Sequence, residues 1–122
     1  MLGHISTVES VTITSDNKFI VSGSYDSTLR LWNPQDKLQE AVLKSYTSGV
    51  KCIAITSENK FMTSGGYNNT VHVWNLQEKC QEAVLKGHKG NVCTITVTSD
   101  YKLIVSDSSD RTVRAWNLQE KR

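Results

Sequence analysis

Residues 21–33 read VSGSYDSTLRLWN. The same phrase returns as TSGGYNNTVHVWN at 63–75 and as VSDSSDRTVRAWN at 105–117. Ser22, Asp26 and Trp32 keep their spacing in the third copy as Ser106, Asp110 and Trp116, whereas the second copy keeps Ser64 and Trp74 but carries Asn68 in place of the aspartate. Three registered copies in a chain of 122 residues decide the architecture before any local propensity does.

The repeat extends outward from these segments. Trp32, Trp74 and Trp116 recur at a spacing of 42, as do TSDNKF, TSENKF and TSDYKL, which begin at Thr14, Thr56 and Thr98. The connecting segments LQEAVLK (38–44) and CQEAVLK (80–86) keep the same spacing. Within each copy the periodicity is two. Val8, Ser10 and Thr12 alternate with Val11 and Ile13, and the apolar columns return as Val50, Ile53, Ile55 and Val92, Ile95, Val97. Alternating β-branched residues predict strands. Asp16 and Asn17 supply turn chemistry, a second strand follows at FIVSGS, and a turn around Tyr25-Asp26-Ser27 leads into TLRLWN. The fourth strand is QEAVLK, and Pro34 argues against a helix before it. Each copy is thus four short strands with no helix.

A four-stranded sheet cannot cover both of its faces alone, but stacked neighbours can. Radial stacking of such sheets gives a β-propeller with blades of about 40–45 residues. The chain resembles the WD-repeat family: Gly3-His4 and Gly87-His88 match its GH signature, and Trp-Asn at 32–33, 74–75 and 116–117 stands where that family has Trp-Asp. The expected fold is all-β, three four-stranded antiparallel blades of a partial propeller. Blade one takes its three inner strands from 1–38; 39–80 adds its outer strand and blade two, and 81–122 adds the outer strand of blade two and blade three. The last blade is expected to lack its outer strand, because the sequence stops at LQEKR before a third QEAVLK. Eleven strands follow, with an open edge at 112–117 and an apolar face bare at each end. Copies of such a chain are expected to join head-to-tail as a dimer or trimer, or to need the further blades of a longer array.

The resemblance implies that His4, Ser22, Asp26 and Trp32, and again His88, Ser106, Asp110 and Trp116, form a structural hydrogen-bond relay in each blade. Tryptophan only donates, serine donates and accepts, and histidine can bridge to a carboxylate. A nucleophile would need an open pocket and an oxyanion hole, for which no signature is present. No catalytic residue, cofactor or metal ligand is assigned. In the middle copy Tyr46, Ser64, Asn68 and Trp74 fill the relay columns, so that the charged contact is replaced by a neutral one and blade two is either less rigid or specialised. His72, in the strand-three column of Arg30 and Arg114, reads as a solvated or half-packed side chain. Gly23 and Gly65 share a column with Asp107, which would strain blade three if that column needs a positive φ.

A net charge of +2 supplies no basic stripe for nucleic acid. No apolar run is long enough to span a bilayer, and the N-terminus lacks the layout of a secretory signal. Cys52, Cys80 and Cys93 form no CxxC pair and read as reduced thiols of a cytoplasmic protein. Function is therefore sought on loops. The turn before strand three offers Tyr25, Tyr67 and Ser109; the start of strand one offers Glu9, Lys51 and Cys93, with Thr7, Gly49 and Asn91 two residues earlier. The resemblance places both sets on one rim, which that family uses to grip protein partners. Tyr25 and Tyr67 either bind there or stack on neighbouring blades. The expected role is a non-catalytic scaffold for other proteins, or a structural segment of a larger or oligomeric propeller; nucleic acid and membrane are not expected partners.

Overall fold

The period-two segments are strands in the computed structural model, which describes residues 6–16, 18–35, 39–44, 49–56, 58, 60–98, 100 and 102–120, without the side chains of 39, 40 and 44. β1 (Val8–Ile13), β2 (Ile20–Ser24), β3 (Thr28–Trp32) and β4 (Gln39–Lys44) pair in that order as the first blade. β5 (Val50–Ile55), β6 (Phe61–Gly66), β7 (Thr70–Asn75) and β8 (Cys80–Lys86) form the second. β9 (Val92–Val97), β10 (Leu103–Ser108) and β11 (Val113–Asn117) form the third, which has three strands among the described residues. Every pairing is antiparallel.

Local chemistry fixes each reversal. Between β1 and β2, Asp16 Oδ1 accepts from Thr14 Oγ1 at 2.6 Å and from the Lys18 amide at 3.0 Å. Asp100 does the same for Thr98 and Lys102. Between β2 and β3 the Ser27 amide donates to Ser24 O at 3.2 Å, and between β10 and β11 the Arg111 amide donates to Ser108 O at 3.1 Å. The left-handed residue in that turn is Ser27, Asn69 or Arg111, with φ of 73°, 66° and 71°.

No described glycine has a positive φ, so the glycine column at 23 and 65 does not serve backbone conformation. It serves blade contact. A Cβ on Gly23 would lie 2.7 Å from Val50 Cγ1, and one on Gly65 would lie 2.5 Å from Val92 Cγ1. The next blade approaches too closely for any side chain. Asp107 consequently imposes no left-handed strain on blade three.

The blades stack through two cores. Val21, Leu29, Leu31 and Leu43 of blade one meet Val50, Met62, Trp74 and Leu76 of blade two. Cys52, Val71, Val73 and Leu85, from the other face of blade two, meet Val92, Ile104, Trp116 and Leu118 of blade three. Each fully buried Val, Leu or Ile contributes roughly 1.5–3 kcal/mol, so these interfaces, more than strand pairing alone, hold the array. Among the described residues the outermost faces have no such cover: Val8, Val11 and Ile13 on blade one and Val113 on blade three are exposed.

Candidate functional site

The two sequence columns assigned to a rim meet in every blade. The Tyr25 amide donates to Thr7 O at 2.9 Å, Tyr67 to Gly49 O at 3.1 Å and Ser109 to Asn91 O at 3.0 Å. Just inside these contacts each inner strand carries one extra residue. Val8 pairs Ser24 while Ser10 pairs Gly23, which leaves Glu9 as a bulge; Lys51 and Cys93 are left the same way in β5 and β9. A bulge re-aims its side chain out of the alternation. That regular displacement gives Glu9, Lys51 and Cys93 their common place on the rim.

Blades one and two build the rim's densest cluster. The Tyr25 and Tyr67 rings meet edge-to-face, with centroids 5.1 Å apart and planes at 78°, a favoured aromatic arrangement. Gly49 lies between them, and a Cβ there would sit 2.8 Å from Tyr25 Cα and 3.1 Å from a carbon of each ring. Lys51 Nζ lies 5.8 Å from the Tyr67 centroid and 3.9 Å from Cys93 Sγ. Burial and then the Glu9 carboxylate push the Tyr67 hydroxyl above its ordinary pKa, keeping it a neutral donor. Tyr67 is half-buried by these contacts, while Tyr25 remains 55% exposed. The two tyrosines stack across the blade boundary and one still offers an open ring. Ser109 is exposed and Asn91 half-buried, so blade three's share of the rim is small and polar.

Beneath the rim, each tryptophan donates to its serine: Trp32 Nε1 to Ser22 Oγ at 3.0 Å, Trp74 to Ser64 at 3.0 Å and Trp116 to Ser106 at 2.9 Å. In blade three the chain continues. Ser106 Oγ is 2.8 Å from His88 Nε2, and His88 Nδ1 is 3.1 Å from Asp110 Oδ2, which also accepts from the Lys89 amide at 2.8 Å. Asp110 Oδ1 holds the Thr112 amide and hydroxyl. The order Ser–His–Asp matches that of a hydrolase triad, but Ser106 is 1% exposed and its oxygen already accepts the indole hydrogen. With the serine donating to Nε2 and Nδ1–H donating to the carboxylate, every group is satisfied and no electrophile can reach the hydroxyl.

In blade one Asp26 accepts from the Thr28 amide at 3.0 Å and from its hydroxyl; His4 lies outside the described residues. Tyr46 lies outside them too, and the buried histidine that blade two does show stands at another place. His72 on β7 is 3% exposed, fully packed rather than solvated or half-packed as its column suggested. Its Nδ1 is 2.8 Å from Gln81 Oε1, and its Nε2 is 3.0 Å from Thr70 Oγ1 and 3.4 Å from Asn68 Nδ2. Asn68 Oδ1 accepts from Thr70 Oγ1 at 2.6 Å. Burial lowers the His72 pKa against the opposing bond to Gln81, favouring the neutral ring. Among the described residues blade two thus holds a neutral Asn–His–Gln chain, in which Asn68 Nδ2 donates to His72 Nε2 and Nδ1–H donates to Gln81 Oε1, where blade three has its His–Asp contact. The sequence carried one signal for this: the copy that lacks histidine at 46 gains one at 72.

Asp110 is held well below its ordinary value of 3.8, first by the Thr112 hydroxyl, then by the Lys89 amide and His88, with burial opposing. A carboxylate depressed on folding contributes stability that is complete above the unfolded value and is lost as pH falls toward the folded one. Melting curves of the native chain and of Asp110→Asn, taken from about pH 6 to about pH 3, should show a gap constant at the upper end and narrowing below about pH 4. A gap independent of pH would mean that the charge of Asp110 contributes nothing.

The thiols are dissimilar. Cys52 lies in the second core, where burial pushes it up to about 12 and makes it a poor nucleophile. Cys80 is exposed and Cys93 half-buried on the rim; all three are free.

A family model described as WD domain, G-beta repeat, matches residues 1–33, 38–75 and 79–117. Among solved structures the chain is similar to that of U3-55K, with a TM-score of 0.95 and 25% identity, and to the WD40 repeats of RRP9, with a TM-score of 0.94 and 25% identity. Each match covers 98% of this chain and 38% of the other.

Proposed function

The chain belongs to the WD40 repeat family, and from that premise we propose that it is a non-catalytic platform for protein partners, gripped at the rim of blades one and two. The observation that carries this reading is the cluster of Tyr25, Tyr67 and Lys51, with the bulged Glu9 beside Tyr67 and the Tyr25 ring still open. Tyrosine brings apolar area and a hydroxyl with few rotors to freeze, which suits a binding hot spot. A photo-crosslinking side chain at Tyr25 should capture a protein that the same group at Val42, on the outer strand of blade one, does not. Tyr25→Ala should then weaken that partner by more than about 1 kcal/mol while leaving the fold intact. Equal capture at both positions, or unchanged affinity, would remove the rim as the binding face.

A second reading is favoured by the bare faces at the ends of the stack. Val8, Val11 and Ile13 occupy on blade one the columns of Val50, Ile53 and Ile55, which on blade two pack against the preceding blade. Val113 occupies the column of the buried Leu29 and Val71. In this reading the chain is a structural segment whose end faces receive further blades.

A further inference from the structure

Resting on that second reading, we infer that the outer face of blade three is built to receive a blade other than a second copy of this chain, one that presents a cationic side chain over Asp107. The two blade contacts within the chain follow one pattern. The glycine of one blade, Gly23 or Gly65, lies under the first valine of the next blade's inner strand, Val50 or Val92, at separations that leave no room for a Cβ. In the same register blade three has Asp107: it pairs Val113 and Thr94, as Gly65 pairs Val71 and Cys52. A second copy docking in this register would bring its Val8 onto that position. The valine would meet the aspartate Cβ and cover its carboxylate with methyl groups, leaving a charge desolvated without a counter-ion.

The site is polar by construction. Asp107 Oδ1 accepts from the Thr94 amide and from its hydroxyl, both at 2.9 Å. Thr94 itself stands where blade two has Cys52, buried in the core. Around this pair the face remains apolar at Val113, 71% exposed, and at Ala115. An apolar sheet face with one carboxylate at its tightest point of contact fits a sheet that places a lysine or arginine there. Such a pair gives specificity as well as attraction, since an apolar side chain at that column is refused.

Light scattering on the whole chain tests this. The native protein should show no assembly through its end faces, against the head-to-tail dimer or trimer that the repeat pattern alone suggests. Asp107→Gly restores the close approach and should raise the weight-average mass about twofold or more above 13.6 kDa. Val8→Lys, on an exposed position, supplies the cation and should also assemble, the effect fading as salt rises. Adding Val113→Arg to either variant should return it to monomer. The inference requires both variants to assemble: assembly by one alone overturns it and leaves the end-face reading standing. A native chain that already assembles, and is dissolved by Val113→Arg, also overturns the gating by Asp107 while supporting that reading. If neither variant assembles, Asp107 is not what excludes a second copy and the inference falls, while the end-face reading, which does not require the added blade to be a copy of this chain, stands.

Discussion

Trp74→Ala is expected to cost about 3–5 kcal/mol, a large share of the roughly 5–15 kcal/mol that holds a domain of ordinary stability. Trp74 is buried in the core between blades one and two, its ring parallel to His72 at 6.1 Å, and its indole donates to the buried Ser64 hydroxyl. Truncation removes the ring from one blade interface and the donor from the serine together. Trp74→Phe separates the two effects: it keeps most of the packing and should cost about 1–3 kcal/mol, the range for a buried polar group left without its partner. Denaturant unfolding is the measurement, read as a fall in midpoint at unchanged slope. An alanine variant no worse than the phenylalanine would show that the indole's packing contributes nothing beyond its hydrogen bond.

Gly65→Ala is expected to destabilise by about 2–3 kcal/mol, in the range for overpacking a tight core. The sign is the informative part. In an ordinary strand alanine is favoured over glycine by roughly 0.5–1 kcal/mol, so backbone entropy alone predicts a gain. Here the added carbon would lie 2.5 Å from Val92 Cγ1, 2.8 Å from Val92 Cβ and 3.2 Å from Cys52 Sγ. Val92 and Cys52 are themselves buried in the second core and cannot retreat without opening it. Steric overlap outweighs the entropy. Val92→Ala in the same chain should recover part of the loss, making the pair non-additive. A Gly65→Ala variant as stable as the native chain would mean that the blades can separate at no cost, and would weaken the basis for Asp107 as a gate.

The strands were legible because the columns of Val8, Val50 and Val92 and of Trp32, Trp74 and Trp116 repeat at constant spacing, and a period of two has a single structural meaning. The stacking followed from the same columns, since a sheet with apolar residues on both faces needs two neighbours. What the residues do not carry is distance. Gly23 and Gly65 are visible as a small-residue column, but the reason for it is a valine in another blade, twenty-seven residues on. The same holds for Glu9, Lys51 and Cys93, whose displacement arises from pairing with the neighbouring strand and has no signature in their own chemistry. His72 shares a column with two arginines and so reads as solvated or half-packed. Its burial depends on Gln81 of the outer strand and on Asn68 and Thr70 of the turn before it.

Two cores in series also set an order of failure along the molecule. Blade two is covered on both faces, whereas blades one and three are each covered on one. In an array of nearest-neighbour contacts an end unit is held by one interface and a middle unit by two. Fluctuations that open the backbone amides therefore begin at β1 and β11 and reach β6 and β7 last, since those strands open only when an interface has already been lost. Blade two is thus expected to exchange most slowly, although its hydrogen-bond chain is the uncharged one. Its persistence comes from its position between two sheets, and it would lose that standing if either neighbour melted first.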